Sequence, residues 1–417
     1  MIKILATSDW HLGNVFKGFD RQAEHVHFLE WLLATIDRER PDVLLVAGDV
    51  FDNSNPSAAA QRLYYDFLDR VTVAAPDMAV VIIAGNHDSA ARLEAPRALL
   101  ERRGVQVRGV VRRQADGQPD WAELLVPVEG RDCERAWIMA VPYLRDGDFA
   151  REAGYGEGAV GFIRSLAAYA NQNCRKPDEA LVLMAHLYAT GAEIAEESSE
   201  RLIVGGSEMV NMGQVSDAVT LAVIGHIHKR QRIGGSERMR YPGSALPMSF
   251  SERGYQHGAD LWTISQGKCE ELPRFIAYQP IRPLRSLSAE PLPLEEIKKR
   301  ISELPDKVKE AGKEAPYPYL EIKVLLDGPD PNLGKNIADL LEDKAVALCR
   351  VATYYQALTD NDADNKALES VEDLLEQDPL EMIRISYRNK YHSEMGEELV
   401  ALARQAIEAA RKEETEE

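Results

Sequence analysis

Positive charge is scarce in this sequence, and so are cysteine and long apolar runs. The 417 residues include 49 lysines and arginines against 68 aspartates and glutamates, which leaves a formal net charge of −19. An acidic chain repels phosphate backbones at long range, so a simple DNA-coating protein is disfavoured. A nucleic-acid enzyme remains compatible with this charge, because metal ions or a partner can supply the positive surface.

The four cysteines, Cys133, Cys174, Cys269 and Cys349, lie far apart and have no CxxC spacing. This pattern predicts free structural thiols in a reducing compartment rather than a disulfide framework. No apolar run reaches the ~18 residues that indicate a membrane span. The segment Met1–Ala6 is too short and too soon followed by polar residues for a signal peptide, so the cytoplasm is the expected location.

Short apolar runs recur through the first two thirds of the chain. They are Ile2–Ala6, Val43–Ala47, Val80–Ala84, Trp137–Val141, Leu181–Ala185 and Val219–Ile224. Most are continuous rather than alternating, which predicts strands that are buried on both faces. Helical stretches, such as Phe28–Arg38, Ala58–Val71 and Gly161–Asn173, lie between several of them. We therefore expect a layered α/β domain with central sheets over residues 1–275.

The sequence changes in character after Phe275, where prolines cluster at a predicted domain boundary. The elements expected beyond it are a helix at Leu294–Leu304, a strand at Tyr319–Leu326, a helix from Gly334 and a strand at Leu348–Gln356. They predict a small α+β domain over residues 276–358. The remaining residues, 359–417, are predicted to form a helical tail. Its apolar stripes either fold onto the body or contact another protein.

Polar motifs follow five of the apolar runs. They are Asp9-Trp10-His11, Gly48-Asp49, Gly85-Asn86-His87-Asp88, His186 and Gly225-His226-Ile227-His228. The carboxyl ends of buried strands are where α/β folds build ligand sites. In extended backbone, residues i and i+2 point the same way, so the Asp-x-His pair and the His-x-His pair can each approach one ion.

Each motif alone is a weak signal, because an Asp-x-His pair is often a capped turn and a single histidine is often a core residue. All five in this order predict a metal site. Oxygen and nitrogen ligands from Asp, Asn and His suit Mn²⁺, Fe²⁺ or Zn²⁺, and a carboxylate such as Asp49 can bridge two cations. Two ions about 3.5–4 Å apart clamp a phosphate and generate hydroxide from water. We expect the glycines before Asp49, Asn86 and His226 to allow sharp turns at the strand ends.

At these residues the sequence resembles the calcineurin-like metallophosphoesterase superfamily and, more narrowly, the SbcD family of nuclease subunits. The narrower resemblance rests on Ser8–Gly13, Gly48–Asp52, Val204–Gly206 and Tyr241–Ser244, the last continuing to Ser249-Phe250. Matching motifs are frequent over residues 1–255, whereas over 277–417 the overall plan of the chain matches and few individual residues do. The resemblance implies a four-layer fold with two central β-sheets flanked by helices, a small α+β capping domain and a helical C-terminal tail.

The resemblance also implies two divalent ions, most often Mn²⁺ in this family. The ligands that it implies are Asp9, His11, Asp49 and His228 for one ion, and Asp49, Asn86, His186 and His226 for the other, with Asp49 bridging. His87 would face the scissile phosphate and stabilise or protonate the leaving oxygen, with Asp88 orienting its ring. Some relatives carry a second substrate-facing histidine where this chain has Asp52. The role of Asp52 is open between a substrate-facing group and a helix-capping or outer carboxylate.

The partners implied by the resemblance are DNA, a second copy of the chain and a coiled-coil ATPase similar to SbcC, in a heterotetramer or larger assembly. The ATPase would bind the tail, and helices near Ala58–Phe67 and Ala90–Arg102 would form the homodimer. The candidate apolar residues of that dimer face are Leu63, Tyr64, Phe67, Leu93, Leu99 and Leu100, which could equally pack on their own domain.

The implied activity is Mn²⁺-dependent DNA cleavage, coupled to the ATPase in recombination, repair and replication. It would be exonucleolytic from 3′ to 5′ on duplex ends and endonucleolytic on single strands and hairpins. One alternative is a small-molecule phosphodiesterase or nucleotide phosphatase on the same core, which the 277–417 extension disfavours. Another is a non-catalytic scaffold for the ATPase, which the complete ligand set disfavours.

Overall fold

The computed structural model describes residues 1–149, 154–193, 209–269, 271–308, 316–328 and 330–355, and scattered positions between 380 and 407. The chain divides into two compact units, Met1–Pro283 and Leu284–Glu417. Strand Arg274–Tyr278 pairs with a strand of the first unit, so this unit extends past the predicted boundary at residue 275. The Val204–Gly206 motif and most of the predicted tail lie outside the described residues.

The first unit contains fifteen described strands and five described α-helices. The strands are β1 (Ile2–Thr7), β2 (Val15–Phe16), β3 (Phe19–Asp20), β4 (Val43–Ala47), β5 (Ala79–Ile83), β6 (Val105–Arg108), β7 (Leu125–Glu129), β8 (Arg135–Val141), β9 (Ala180–His186), β10 (Leu221–Gly225), β11 (Gln231–Ile233), β12 (Ser236–Tyr241), β13 (His257–Ser265), β14 (Lys268–Cys269) and β15 (Arg274–Tyr278). The helices are α1 (Gln22–Glu39), α2 (Ala58–Ala74), α3 (Ala90–Glu94), α4 (Arg97–Leu100) and α5 (Tyr155–Asn173).

Two sheets contain thirteen of these strands, and β2 and β3 pair separately with each other. The first has the order β14-β13-β1-β4-β5-β6, with β15 also paired to β13, and the second has the order β11-β12-β10-β9-β8-β7. Strands β1, β4, β5 and β6 are mutually parallel, and so are β8, β9, β10 and β12. The carboxyl ends of each parallel set therefore meet at one edge of its sheet.

The side chains of the parallel strands alternate between two layers of core. One face of each sheet contributes to a shared apolar layer, which includes Ile4, Leu45, Val182 and Val223. The opposite face of the first sheet packs with residues of α1 and α2, and that of the second sheet packs with residues of α5. Two central sheets flanked by helices confirm the predicted four-layer α/β fold.

The second unit contains β16 (Leu284–Ser286), β17 (Leu292–Pro293), α6 (Leu294–Ser302), β18 (Tyr319–Leu326), α7 (Leu333–Leu340) and β19 (Ala347–Tyr355). The four strands among its described residues form one sheet in which β18 pairs in parallel with β16, β17 and β19. Residues of α6, α7 and β18 form a core in this unit, with Ile297, Ile322 and Ile337 fully buried. Across the described residues of the chain, no helix has the length and apolarity needed to cross a membrane.

Candidate metal centre

Five strands end at the residues of the sequence motifs. Asp9 and Asp49 each stand two positions beyond β1 and β4, Asn86 follows β5, His186 is the last residue of β9, and His226 follows β10. Strands β1, β4 and β5 are neighbours in the first sheet, and β9 and β10 are neighbours in the second. The parallel strand order therefore gathers the motifs from distant parts of the chain.

Backbone strain marks four of these positions. Asp9, His11, Asp49 and His226 have φ angles of 51°, 48°, 49° and 109°, in the left-handed region that side chains other than glycine rarely adopt. Hydrogen bonds hold the first two in place, since Asp9 N donates to Gly48 O and His11 N donates to Asp49 O, both at 3.0 Å. Strained backbone of this kind persists where the surrounding structure over-determines it, and it clusters at functional sites.

Two glycines of the motifs lie too close to neighbouring atoms to carry a side chain. A Cβ atom on Gly225 would lie 1.8 Å from the carbonyl oxygen of Ala47, and one on Gly85 would lie 2.1 Å from Oδ1 of Asp49. Neither glycine has a positive φ angle. The chain does bend directly after both glycines, at Asn86 and at His226, and the absence of a side chain there makes room for the neighbouring atoms. Gly48 does combine a φ of +87° with close approach to His186.

One group of possible ligands comprises Asp9, His11 and His228, whose donor atoms lie within 4.8 Å of one another. All three side chains are buried. Nε2 of His11 is 3.2 Å from Nε2 of His228 and 3.8 Å from Oδ2 of Asp49. The Asp9 carboxylate also accepts the backbone N–H of His226 at 3.0 Å, which ties the first sheet to the second.

A second group comprises Asp49, His186 and His226, again with donor atoms within 4.8 Å of one another. Nε2 of His186 lies 3.4 Å from Oδ2 of Asp49 and 2.9 Å from Oδ1 of Asn86. Oδ1 of Asn86 is also 3.1 Å from Nδ1 of His226, so the amide belongs to this group. The Asp49 carboxylate borders both groups.

The chemistry of these donor sets fits divalent cations. Nδ1 of His186 lies 2.9 Å from the carbonyl oxygen of Ala47, which only accepts hydrogen bonds, so Nδ1 carries the ring proton. The Nε2 lone pair then faces the Asn86 and Asp49 oxygens, which are electron-rich atoms as well. A divalent cation that accepts both nitrogen and oxygen ligands would bind these converging donor atoms.

Without a bound cation, protonation of His186 offsets part of the negative charge of Asp49. Burial lowers the pKa of His186, but the Asp49 carboxylate outweighs it and raises that pKa to about 9. Burial raises the pKa of Asp49, yet His186 and His11 hold it below its ordinary value. For His226, burial and then the His186 charge lower the pKa to about 3, so its ring is neutral at neutral pH. An ion that binds His186 must displace its proton, so metal binding is expected to strengthen as the pH rises.

His87 lies at the exposed side of the two groups, with its ring centroid 5.0 Å from that of His11. Its backbone N–H donates to Oδ1 of Asp49 at 2.9 Å, and its Nδ1 lies 2.9 Å from the backbone carbonyl oxygen of Asp52. Because a carbonyl only accepts, Nδ1 carries a proton and Nε2 is the nitrogen that exchanges one. The ring is thus oriented by the chain at Asp52.

Asp88 has a different place from the one expected. The family resemblance implies that it orients the His87 ring, but its oxygens accept the backbone N–H groups of Val50, Phe51 and Gly85, at 2.9–3.1 Å. Burial, and then the Asp49 charge, raise the pKa of Asp88 to about 6. The orienting role assigned to this side chain is wrong, and the buried carboxyl instead joins the turns after β4 and β5.

The side chain of Asp52 contacts residues of the site. Its Oδ1 accepts from Nδ2 of Asn14 at 2.8 Å and lies 3.6 Å from Nδ1 of His11, beyond hydrogen-bond length. Burial raises the pKa of Asp52, but His11 and Asn14 outweigh it and hold the pKa below its ordinary value. These contacts match the outer carboxylate of the two roles that the sequence leaves open.

Sequence reasoning missed Glu252, a fully buried carboxylate whose Oε1 lies 3.3 Å from Nδ1 of His228. It follows the Ser249-Phe250 segment by two residues, but nothing in its local sequence marks it as part of a site. Three of the histidines outside the motifs have other places. His27 and His257 pair with Tyr278 and Ser244, and His25 is buried on α1. The fourth, His392, lies outside the described residues.

Two family models and several known proteins are similar to this chain. The family model described as calcineurin-like phosphoesterase matches residues 2–230. The SbcD_C model, described as type 5 capsule protein repressor C-terminal domain, matches residues 280–391. The SbcD component of the SbcCD nuclease of Rhodobacter capsulatus is 37% identical over 333 residues, which cover 77% of this chain and 80% of that protein.

The SbcD component of the SbcCD nuclease of Escherichia coli K12 is 33% identical over 279 residues, which cover 65% of this chain and 67% of that protein. Among solved structures, TT1561 of Thermus thermophilus aligns with 62% of this chain and 93% of its own, at 14% identity and a TM-score of 0.34.

Proposed function

The chain belongs to the calcineurin-like phosphoesterases and, within them, to the SbcD family of SbcCD nuclease components, and we propose that it cleaves DNA with two divalent metal ions held at the carboxyl edge of its two sheets. As a member of this family it is a metal-dependent phosphoester hydrolase with a nuclease function. The observation that carries the proposal is the pair of ligand groups that meet at Asp49.

The proposed ligands divide between two ions. The first ion takes Asp9, His11, Asp49 and His228, and the second takes Asp49, Asn86, His186 and His226. The support for this division is the clustering of Asp9, His11 and His228 on one side of Asp49, and of His186, His226 and Asn86 on the other. When bound, two such ions polarise the phosphate and lower the pKa of water at the site.

His87 is the residue proposed to act on the substrate. It is exposed beside His11, and the carbonyl oxygen of Asp52 fixes which of its nitrogens can exchange a proton. The protonated ring would donate from Nε2 to the leaving oxygen as the phosphodiester bond breaks. We propose that the backbone carbonyl of Asp52 positions this ring. The carboxylate of Asp52 lies beside His11.

The finer assignments follow from family membership and from the charge of the chain. We propose Mn²⁺ as the working ion, DNA as the substrate and a coiled-coil ATPase of the SbcC type as the partner. Cleavage would run from 3′ to 5′ on duplex ends, and would be endonucleolytic on single strands and hairpins. A net charge of −19 requires positive surface from elsewhere, and the two ions and the ATPase would supply it. The tail after residue 359 is the proposed contact with the ATPase.

A homodimer through α2 and the α3–α4 region is also proposed, on a narrower face than the sequence suggests. Tyr64, Phe67 and Leu93 are buried in the core of their own unit, so they cannot supply this face. Leu99 is 69% exposed, and with Tyr65 it borders an apolar cavity of about 250 Å³ between α2 and α4. An exposed leucine beside such a hollow suits contact with a second copy.

The test is cleavage of a labelled duplex and a labelled hairpin in Mn²⁺, with and without the ATPase and ATP. We expect the wild type to cut both, with duplex cutting stimulated by the ATPase and ATP. His87→Ala should retain Mn²⁺ binding but lose cleavage by at least ~100-fold, the usual contribution of a positioned proton donor. His27→Ala is the matched control, because His27 is exposed on α1 and contacts Tyr278.

Three results would contradict the proposal. Cleavage by His87→Ala at the wild-type rate would remove His87 from the reaction. A wild type that hydrolyses a small phosphodiester and leaves DNA intact in every mixture would keep the metal centre and replace the substrate with a small molecule. If the wild type and His87→Ala are equally inactive on every ester, the chain acts as a scaffold for its partner.

A further inference from the structure

The outer nitrogen of His228 faces a buried carboxylate. Nδ1 of His228 lies 3.3 Å from Oε1 of Glu252, and its other ring nitrogen, Nε2, lies 3.2 Å from Nε2 of His11. Glu252 is fully buried, in a 3₁₀-helix at Phe250–Glu252. A carboxylate at this depth is costly unless each oxygen has a partner. Both oxygens have one here, because Oε2 accepts the backbone N–H of Met248 at 2.8 Å.

The segment that carries Glu252 is itself anchored. Arg21 is fully buried, pairs with Glu24 at 2.7 Å and donates from Nη1 to the backbone carbonyl oxygen of Pro247 at 2.6 Å. Its guanidinium also lies over the Phe16 ring at 5.2 Å. The Pro247–Glu252 segment is therefore fixed against the start of α1, and the Glu252 carboxylate is presented to His228 in one orientation.

A carboxylate beside one ring nitrogen determines what the other nitrogen can do. An ionised carboxylate only accepts hydrogen bonds, so Nδ1 of His228 carries the proton and the Nε2 lone pair is left for an ion. We propose that Glu252 is a positioning residue that holds His228 as an Nε2 ligand and thereby sets the affinity of the first ion. This inference rests on the proposed metal centre and deepens it.

The two ion sites differ in this respect. His186, in the second group, has the neutral carbonyl oxygen of Ala47 at its outer nitrogen, whereas His228 has a charged carboxylate. A carboxylate raises the basicity of a ligating imidazole more than a neutral carbonyl does, and it adds negative charge near the ion. Loss of Glu252 should therefore weaken one ion site and spare the other.

Glu252→Gln tests this with little change in volume. The amide has one oxygen and one NH₂ group, so it cannot accept from both Nδ1 of His228 and the N–H of Met248. If the NH₂ group faces His228, the ring proton moves to Nε2 and that nitrogen is lost as a ligand. If the NH₂ group faces Met248, two donors oppose each other and the segment shifts. In either case, Mn²⁺ titration by calorimetry should show one of two binding steps weakened by about 10- to 100-fold.

A control separates this role from the general cost of losing a buried carboxylate. Glu179 is 7% exposed and accepts from Nε1 of Trp137 at 2.9 Å and from the N–H of Lys176 at 3.0 Å, at the amino-terminal end of β9, whose other end carries His186. We expect Glu179→Gln and Glu252→Gln both to lower the melting temperature of the chelated protein. Only Glu252→Gln should reduce the additional stabilisation that Mn²⁺ confers on the folded state.

Should Glu252→Gln not fold, Ser249→Ala provides a second route. The Ser249 hydroxyl donates to Oε1 of Glu252 at 3.4 Å and sits one residue from Met248 in the anchored segment. Its removal should change one Mn²⁺ step slightly and leave the other unchanged. Equal weakening of both steps in either variant, or no weakening in both, would overturn the positioning role. A wild type that binds no Mn²⁺ would instead overturn the metal centre itself.

Discussion

Replacing Gly225 by alanine adds one methyl group where the end of β10 in the second sheet lies against the end of β4 in the first. The new Cβ would lie 1.8 Å from the carbonyl oxygen of Ala47 and 2.8 Å from Nδ1 of His186. Ordinary contacts exceed 3 Å, so the ends of β4 and β10 must separate by more than ~1 Å. Because the shorter contact is with a backbone atom, the backbone must move.

The expected cost comes from two sources. Overpacking of a close-packed interior costs about 1–3 kcal/mol. The hydrogen bond between His186 and Ala47 lies in the same gap, and its loss adds about 1 kcal/mol. We therefore expect Gly225→Ala to lower the free energy of unfolding by about 2–4 kcal/mol and to weaken Mn²⁺ binding at the same time, because the outer partner of His186 is displaced.

Denaturant unfolding followed by tryptophan fluorescence suits this measurement. All five tryptophans lie within residues 1–283, so their emission reports on the first unit. Gly161→Ala is the matched control, because Gly161 lies inside α5 and its Cβ would contact nothing within 4 Å. Alanine there should stabilise the helix by about 0.5–1 kcal/mol. A Gly225→Ala protein within about 0.5 kcal/mol of the wild type would refute the close-packing argument.

Three further predictions address buried charge and the exposed surface. Burial lowers the pKa of His257 to about 4, so the stability that its neutral form contributes should be lost as pH falls from about 6.5, by up to ~1.4 kcal/mol per pH unit. Denaturation of the chelated protein at several pH values checks this, and an unchanged slope in His257→Asn would contradict it. Asp88→Asn leaves one of three backbone donors opposed by an amide and should cost about 1–3 kcal/mol in thermal unfolding. It should reduce cleavage less than His87→Ala, and equal losses would restore Asp88 to the orienting role. Leu99→Asp should shift sedimentation toward the monomer, whereas Leu272→Asp, at another exposed leucine, should not; equal behaviour would remove the proposed dimer face.

Much of the parallel core could be read from the sequence, because strands buried on both faces leave continuous apolar runs. Val43–Ala47 matches β4 at both ends, and Tyr319–Leu326 matches β18. Strands β12 and β13 were missed for the converse reason. Strand β12 has three charged residues, Glu237, Arg238 and Arg240, among its six. Strand β13 begins with His257 and Gly258 and pairs with β1, from which most of the sequence of the first unit separates it. Such pairings depend on contacts that local sequence does not encode.

The residues of the site also differ in whether the local sequence predicts them. Ligand residues at strand ends stand out, because polar residues interrupt apolar runs there. The partners behind them do not, since Glu252 reaches His228 across 24 positions and Asp88 reaches Val50 across 38. Helix periodicity shows that Tyr64 and Phe67 lie on an apolar face of α2, but not whether a second copy or the chain itself covers that face.

The ligand groups draw on both sheets, and this has a mechanical consequence. The layer between the sheets is apolar and therefore non-directional, so it resists separation more than it resists sliding. Two ions would be coordinated from both sheets, with Asp49 from one and His186 from the other. They would fix the position of one sheet along the other. Chelation would then leave this position to the few hydrogen bonds that already join the sheets, such as the one from His226 N to the Asp9 carboxylate, so loss of the ions would loosen the alignment of the sheets together with the activity.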